Sequence, residues 1–564
     1  MKRNLLFTLL ISVLVLVISC STAKKKADVL VTQSGVFPRY LELIPSDTPY
    51  VLASTEALPE QVVDLLLEKF RPLAKKVGNS SFIKRVPAME VLWEEVGQKL
   101  LDPKGFETLG LVKSPTFLVY GVGVLPVFRI QISDGEKVRA LFKRVESRIG
   151  ITSHEEKRGE QFFWSYTNAD AILPFAVIGD ELVFGITHRD AAQLYAKHLM
   201  GEVKPKNSFA QANKIEQITA EYGFTRFLVG FVDFRKIFES LVVESTSLNS
   251  QIAGLLPGFR STLDPVCNKE ISELIEQAPR MVMGYDKIDS KVMIARVGLE
   301  VNNGLAADVA ATKTSLPLSG QTVPDTLLSV SAGFDFGKLI NVVQARVRAI
   351  QDAPFQCSSF RKINDMASNS AALAMIPPAI TEIKGFAFGL RDVENIDVSN
   401  GDPNTWPKYK NYVDGYAAIR SDNPRNLLDV LSLALRDLPM AKITQDLSPI
   451  NLTLPPGVDE FKKPSLMLSN TYLGLSAGMT TAQDLGKALK EATDKASTPF
   501  GEVRYKMAAY FDIMEKITNQ NMGSNDEETK EILGSMKSIF NSSESTIEFI
   551  PEERGFFVRF EQTL

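Results

Sequence analysis

Gly474-Leu475-Ser476-Ala477-Gly478 matches the pattern G-x-S-x-G and falls between a predicted strand and a predicted helix, the setting a nucleophilic serine requires. Such a serine attacks only when a base takes its proton, ordinarily a histidine oriented by a carboxylate. The chain has three histidines, His154, His188 and His198, and none follows His198. Ser476 therefore lacks the downstream base and is read as a strand end. His154-Glu155-Glu156 and His188-Arg189-Asp190 lie in polar turns. They lack the i, i+4 pairing that brings two imidazoles to a zinc ion on one helix face. Gly121-Val122-Gly123 has neither the third glycine nor the following helix of a dinucleotide loop. No catalytic set, metal site or cofactor is expected.

Two shorter motifs point to acyl transfer. Ser81-Phe82-Ile83-Lys84 and Ser421-Asp422-Asn423 are similar to the first two motifs of penicillin-binding enzymes, in which a lysine or a nearby carboxylate activates the serine. The third, a Lys-Thr-Gly strand, is missing, and Ser-x-x-Lys recurs at Ser21–Lys24 and Ser359–Lys362. Ser421-Asp422 is better read as a cap for the helix that follows.

The cysteines carry more. Lys2 and Arg3 precede an apolar run from Leu5 to Ile18 broken only by Thr8 and Ser12, too short to span a bilayer comfortably. It ends on Val17-Ile18-Ser19-Cys20, which resembles the lipobox of bacterial lipoproteins, with Ile18 bulkier than usual. That resemblance implies a signal peptide over residues 1–19 and a lipid on Cys20. Ser21 rather than aspartate after the cysteine implies the outer membrane. Residues 20–35 are polar, include Lys24-Lys25-Lys26 and read as a tether. Cys267 and Cys357 remain. In an oxidising periplasm they are a candidate disulfide or, equally, two buried thiols. They lie 90 residues apart, and closing that loop stabilises by roughly 4–5 kcal/mol in the chain-entropy model.

The elements that must position these residues follow from length and pattern. The chain has 564 residues, 45% apolar and 23% charged, the balance of a folded protein. Without Lys2 and Arg3 it carries 61 basic against 67 acidic residues, which gives nucleic acid little reason to bind. An internal repeat orders the body. Pro45-Ser46-Asp47-Thr48 and Val323-Pro324-Asp325-Thr326 each precede a strand and an amphipathic helix, the second with Ile340, Val343, Val347 and Ile350 on one face. Ser133-Asp134 and Ser421-Asp422 each open a helix, with stripes Val138, Leu141, Phe142, Val145, Ile149 and Leu427, Val430, Leu431, Ala434. Hairpins about Gly179-Asp180 and Ser469-Asn470 follow, and then helices that match at a spacing of 290, Ala192 with Ala482 through Leu199 with Leu489. Phe231-Val232-Asp233-Phe234 pairs with Tyr510-Phe511-Asp512-Ile513, and both halves close on a strand pair.

The expected fold class is α+β: two tandem similar units, residues 36–302 and 323–564, joined by a linker at 303–322. Each is an antiparallel sheet with helices packed on one face, and stretches 245–274, 352–383 and 519–541 read as insertions. The layout resembles uncharacterised periplasmic lipoproteins with a Pro-Ser/Ala-Asp-Thr opening and a Tyr-Gly-x-Gly-x-Leu-Pro-Val hairpin, here Tyr120–Val127; the resemblance implies no activity. Phenylalanines such as those in Phe162-Phe163-Trp164 and Phe556-Phe557 fall in strand-like runs, where they pack a core or present a partner-binding patch. The expectation is a membrane-anchored, non-enzymatic binding or scaffold module of the cell envelope. Its partner is an envelope protein or a hydrophobic ligand. The alternatives are a carrier or chaperone for a hydrophobic ligand and a hydrolase using carboxylates alone, which needs two acids in one cleft.

Overall fold

The computed structural model describes residues 41–563 apart from 103, 159–160, 243–244, 246, 259–262, 303, 319–320, 371–375, 394–412, 435–437, 439, 453–463, 493–498, 513–514, 516–526 and 542. Cys20, the leader and the tether lie outside the described residues. The chain is α+β and divides into two compact units, one within 1–300 and one within 301–563.

The first unit holds β1 (Tyr50–Ser54), β2 (Phe117–Val122), β3 (Leu125–Gln131), β4 (His154–Arg158), β5 (Gln161–Asn168), β6 (Ala171–Ile178), β7 (Glu181–Gly185), β8 (Thr187–His188), β9 (Val229–Asp233), β10 (Arg280–Ile288) and β11 (Val292–Glu300). Its strand order is β4-β5-β6-β7-β3-β2-β1-β9-β10-β11, every neighbour antiparallel, with β8 on the start of β6. Gly179-Asp180 turns β6 into β7, Gly179 at φ 62°, a left-handed value that glycine reaches without strain. Helix α1 (Gly135–Ile149) is capped by Asp134, whose carboxylate accepts from the Glu136 and Lys137 amides. It buries Val138 and Leu141 and lays Phe142 against Trp164 and Phe175.

The second unit holds β12 (Leu328–Ala332), β13 (Ile383–Val393), β14 (Val413–Ser421), β15 (Ile450–Asn451), β16 (Ser465–Leu468), β17 (Tyr472–Ala477), β18 (Gly501–Lys506), β19 (Glu544–Glu552) and β20 (Gly555–Thr563). Its order is β15-β16-β17-β14-β13-β12-β18-β19-β20, again antiparallel throughout.

Helices pack on both faces of each sheet, not on one as the sequence suggested. In β3, Ile130 joins the cluster under α1, while its neighbour Arg129 bonds the Leu199 carbonyl at the end of α2 (Ala192–Leu199). In β16, Leu466 and Leu468 meet Leu427 and Leu428 of α3 (Pro424–Ala434), while Met467 meets Leu485 and Leu489 of α4 (Met479–Glu491). The cause is visible in the strands. Ala171–Ile178 and Ser465–Leu468 are almost uniformly apolar rather than alternating, as strands covered on both sides are.

Other expectations shift. Residues 303–322 are not a free linker: they include the helix Leu305–Ala310 and the buried Thr312, Ser315, Leu316 and Leu318, and the division of the units falls at 300–301 rather than 302. Asp422 does not cap α3. It pairs with Lys384 at 2.9 Å, and the Ser421 hydroxyl accepts the Asn423 amide. Val343 and Val430, expected on buried stripes, are exposed. Phe231–Asp233 belongs to strand β9, whereas Tyr510–Asp512 is helical, so that pairing fails.

Candidate functional site

The second unit carries an apolar groove, and its floor is a row across four strands. Ala332 of β12 lies opposite Gly501 of β18, Gly501 opposite Phe549 of β19, and Phe549 opposite Val558 of β20. Directly opposed residues share one face of a sheet. Val330 and Val503 form the next row on the same face, and Val309 of the helix Leu305–Ala310 supplies a wall. The two small residues of the floor leave the space unfilled, and the cavity measures about 380 Å³. Of its fourteen lining residues only Ser331 and Glu502 have polar side chains. Those two oppose each other one step along from the floor row, so alternation turns them to the other face and they line the groove with backbone alone.

The same face bears exposed rings. Phe386 is 40% exposed, Phe388 43%, Phe549 45% and Phe560 43%. Phe386 opposes Ala332, Phe388 opposes Val330, and Phe560 opposes Ile547 beside Phe549. A contiguous apolar surface of this kind marks a ligand groove or an interaction site. At one end Phe500 stacks on Phe334, with centroids 5.4 Å apart, and Phe334 meets Phe386 edge-on.

The reverse face holds a polar cavity of about 310 Å³. Glu502 and Glu548 oppose each other there. Glu502 is paired with Arg504 at 2.6 Å and Glu548 with Arg559 at 2.5 Å. Burial of the nearby Tyr416 pushes its hydroxyl pKa up. Two carboxylates in one cleft are what hydrolysis of a glycan needs; Asp325 and Glu544 also line this one, and Glu502 and Glu548 are both held by guanidinium groups.

The motifs singled out in the sequence are scattered. Ser476 lies in β17 opposite Tyr416 and Ser465, and its buried hydroxyl has no hydrogen-bond partner among the described residues. Ser81 and Lys84 share one exposed turn of helix. His154 is exposed; the His188 ring nitrogen accepts the Asp190 amide; His198 is buried, and desolvation lowers its pKa. Among the described residues no cluster of His, Cys, Asp and Glu could hold a metal ion, and no helix is long and apolar enough to cross a membrane. Cys267, in the helix Pro265–Gln277, and Cys357 are both buried and both disulfide-bonded.

Sequence reasoning did not find the groove. Its signal was the small pair Ala332 and Gly501 at strand positions whose neighbours are valine and phenylalanine, and only the register shows that the two face each other. In comparisons with protein-family models, curated proteins and solved structures, nothing matches this chain.

Proposed function

We propose that this chain is a lipid-anchored envelope protein whose second unit binds a hydrophobic ligand in the groove over Ala332, Gly501, Phe549 and Val558. One observation carries the reading: a cavity of about 380 Å³ into which no polar side chain is turned. Sites for small ligands fall in the range of about 300–1,000 Å³ and are mainly apolar. The carrier reading is thus favoured over a bare scaffold. N-phenyl-1-naphthylamine, an apolar dye that brightens on leaving water, tests it. The unlipidated full-length mature chain should bind the dye saturably, one per chain, and Gly501→Leu should weaken that binding at least tenfold. Unsaturable brightening, or equal binding by both proteins, overturns the reading.

The anchor belongs to the same proposal and rests on Val17-Ile18-Ser19-Cys20. One acyl chain alone holds a protein only marginally, whereas two or three hold it firmly. Cells fed labelled palmitate should label the wild type and not Cys20→Ala; equal labelling contradicts the anchor. We place the protein at the outer membrane, facing the periplasm, on Ser21.

We also propose that the two units are copies of one ancestral unit and that Cys267 and Cys357 are disulfide partners. The strand orders support the first point: β5-β6-β7-β3-β2-β1-β9-β10-β11 and β15-β16-β17-β14-β13-β12-β18-β19-β20 agree strand for strand. The stretches 245–274 and 519–541 then take equivalent places, between β9 and β10 and between β18 and β19, while 352–383 lies between β12 and β13, the place that 55–116 takes between β1 and β2. For the cysteines, peptide mapping of the unreduced mature chain should yield one cross-linked pair containing both. Each residue appearing in a different linkage contradicts the pairing.

A further inference from the structure

We infer that the polar cavity on the reverse face of the second unit binds a neutral saccharide, at a site separate from the apolar groove. Its floor comes from alternate residues of three strands. Ser329 and Ser331 of β12 stand opposite Arg504 and Glu502 of β18, and Glu502 stands opposite Glu548 of β19. Strand alternation puts all five on one face. The ring of Tyr416 in β14 lies across Gly389 of β13, where an added Cβ would meet the ring at 2.2 Å and the hydroxyl at 2.5 Å. Gly389 opposes Ser329 on its other side, so the ring carries its hydroxyl toward β12 and the cavity that it lines.

The lining selects the ligand by charge and by hydrogen bonding. Like charges directly opposed on one face destabilise a sheet, and Glu502 with Glu548 is such a pair. Here each carboxylate is fixed by a guanidinium. Arg504 holds Glu502 by two bonds, at 2.6 and 2.9 Å, and Arg559 holds Glu548 at 2.5 Å. The other charges of the cavity are matched too: Asp325 lies 3.4 Å from Arg391, and Lys506 stands opposite Glu544. A lining whose charges cancel in pairs favours neither a cation nor an anion. Nor does it suit a hydrocarbon, which would strip water from carboxylates and guanidinium groups and give no hydrogen bond in return. A carboxylate accepts about four hydrogen bonds, and Arg504 uses two at Glu502, one on each oxygen. Both oxygens can therefore take a further donor, and the serine and tyrosine hydroxyls donate as well as accept. A sugar ring, uncharged and with hydroxyls on adjacent carbons, matches this density. An extended peptide presents an N–H to one side only every second residue, about 7 Å apart. Leu316, Pro317 and Pro324 add an apolar wall for the C–H face of the ring.

The experiment titrates the unlipidated mature chain with glucose, galactose, mannose and N-acetylglucosamine and with their β-1,4-linked disaccharides, read by calorimetry and saturation-transfer NMR. The amino sugar and the uronate of each ring carry a positive or a negative charge on the same frame. An alanine tripeptide blocked at both ends offers neutral amides instead. At least one neutral sugar should bind saturably, and at least tenfold more tightly than its charged counterparts and the peptide. Glu502→Gln should weaken that sugar at least tenfold, since its hydroxyl loses a charged acceptor. The same change leaves Arg504 unmatched, so the preference should also move at least tenfold toward the uronate. Tyr416→Phe keeps the ring, should weaken binding about fivefold, and serves if the first variant does not fold. The sugar should leave N-phenyl-1-naphthylamine in place, because the dye belongs to the other face. No saturable binding by any neutral sugar, equal binding of the peptide or of a charged ring, displacement of the dye, or equal binding by wild type and both variants overturns the inference. The hydrophobic-ligand reading of the groove stands or falls separately, on the dye and Gly501→Leu.

Discussion

Replacing Arg129 with methionine lowers the stability of the first unit by about 3–5 kcal/mol, the cost of breaking one side of a buried ion pair. Arg129 is 1% exposed in the middle of β3. Its guanidinium donates to Glu181 at 2.8 Å, to the Leu199 carbonyl at 2.7 Å and to the Tyr120 hydroxyl at 3.4 Å. Methionine fills much of the volume but leaves the Glu181 carboxylate, itself buried, without its cation, and leaves the Leu199 carbonyl without that donor. Desolvation of a charge, not lost packing, dominates the loss. The double variant Arg129→Met/Glu181→Leu should therefore recover most of it, since an apolar pair of similar volume often matches a buried ion pair. Urea denaturation followed through hydrogen exchange of the β3 amides measures both variants. A loss below about 1 kcal/mol for the single variant contradicts this account of the site.

Leu428→Ala removes about 2–5 kcal/mol from the second unit, the range for large-to-small changes in a packed interior. Leu428 is fully buried on α3, in the cluster with Leu427, Leu466, Leu468 and Leu473. Its loss combines the transfer energy of the missing methylenes with a cavity that β16 and β17, paired along their length, cannot close. Val430→Ala, two residues on but 38% exposed, should cost within about 0.5 kcal/mol. Equal effects of the two substitutions on the denaturation midpoint contradict the assignment of the buried face.

Helix α3 also shows what the sequence made legible. The hairpins at Gly179-Asp180 and Ser469-Asn470, the Asp134 cap and the closing strand pairs are local devices, with turn and cap residues beside apolar runs, and the structure has them where the pattern put them. The faces of helices were harder. Val430 and Val343 satisfy a helical stripe yet are exposed, because a stripe records periodicity and not which element arrives to cover it. Helices on both sheet faces were foreshadowed by uniformly apolar runs such as Ala171–Ile178, whose lack of alternation was the informative feature. Tyr510–Asp512 resembles Phe231–Asp233 in residue type but is helical, and a likeness of four residues cannot carry a correspondence against the pairing of whole strands. The groove was illegible for a further reason. Ala332, Gly501, Phe549 and Val558 are spread over more than two hundred residues and become one surface only through the register of four strands.

The central claim is that this groove holds a hydrophobic ligand, and the most direct measurement is of what the protein carries. Full-length protein isolated from its own envelope is extracted with organic solvent, and noncovalently held lipid is quantified per chain by mass spectrometry. Gly501→Leu, prepared identically, is the comparison. The expected result is about one lipid molecule per wild-type protein and less than a tenth of that in the variant. Equal amounts from both proteins, or none from either, would contradict the account.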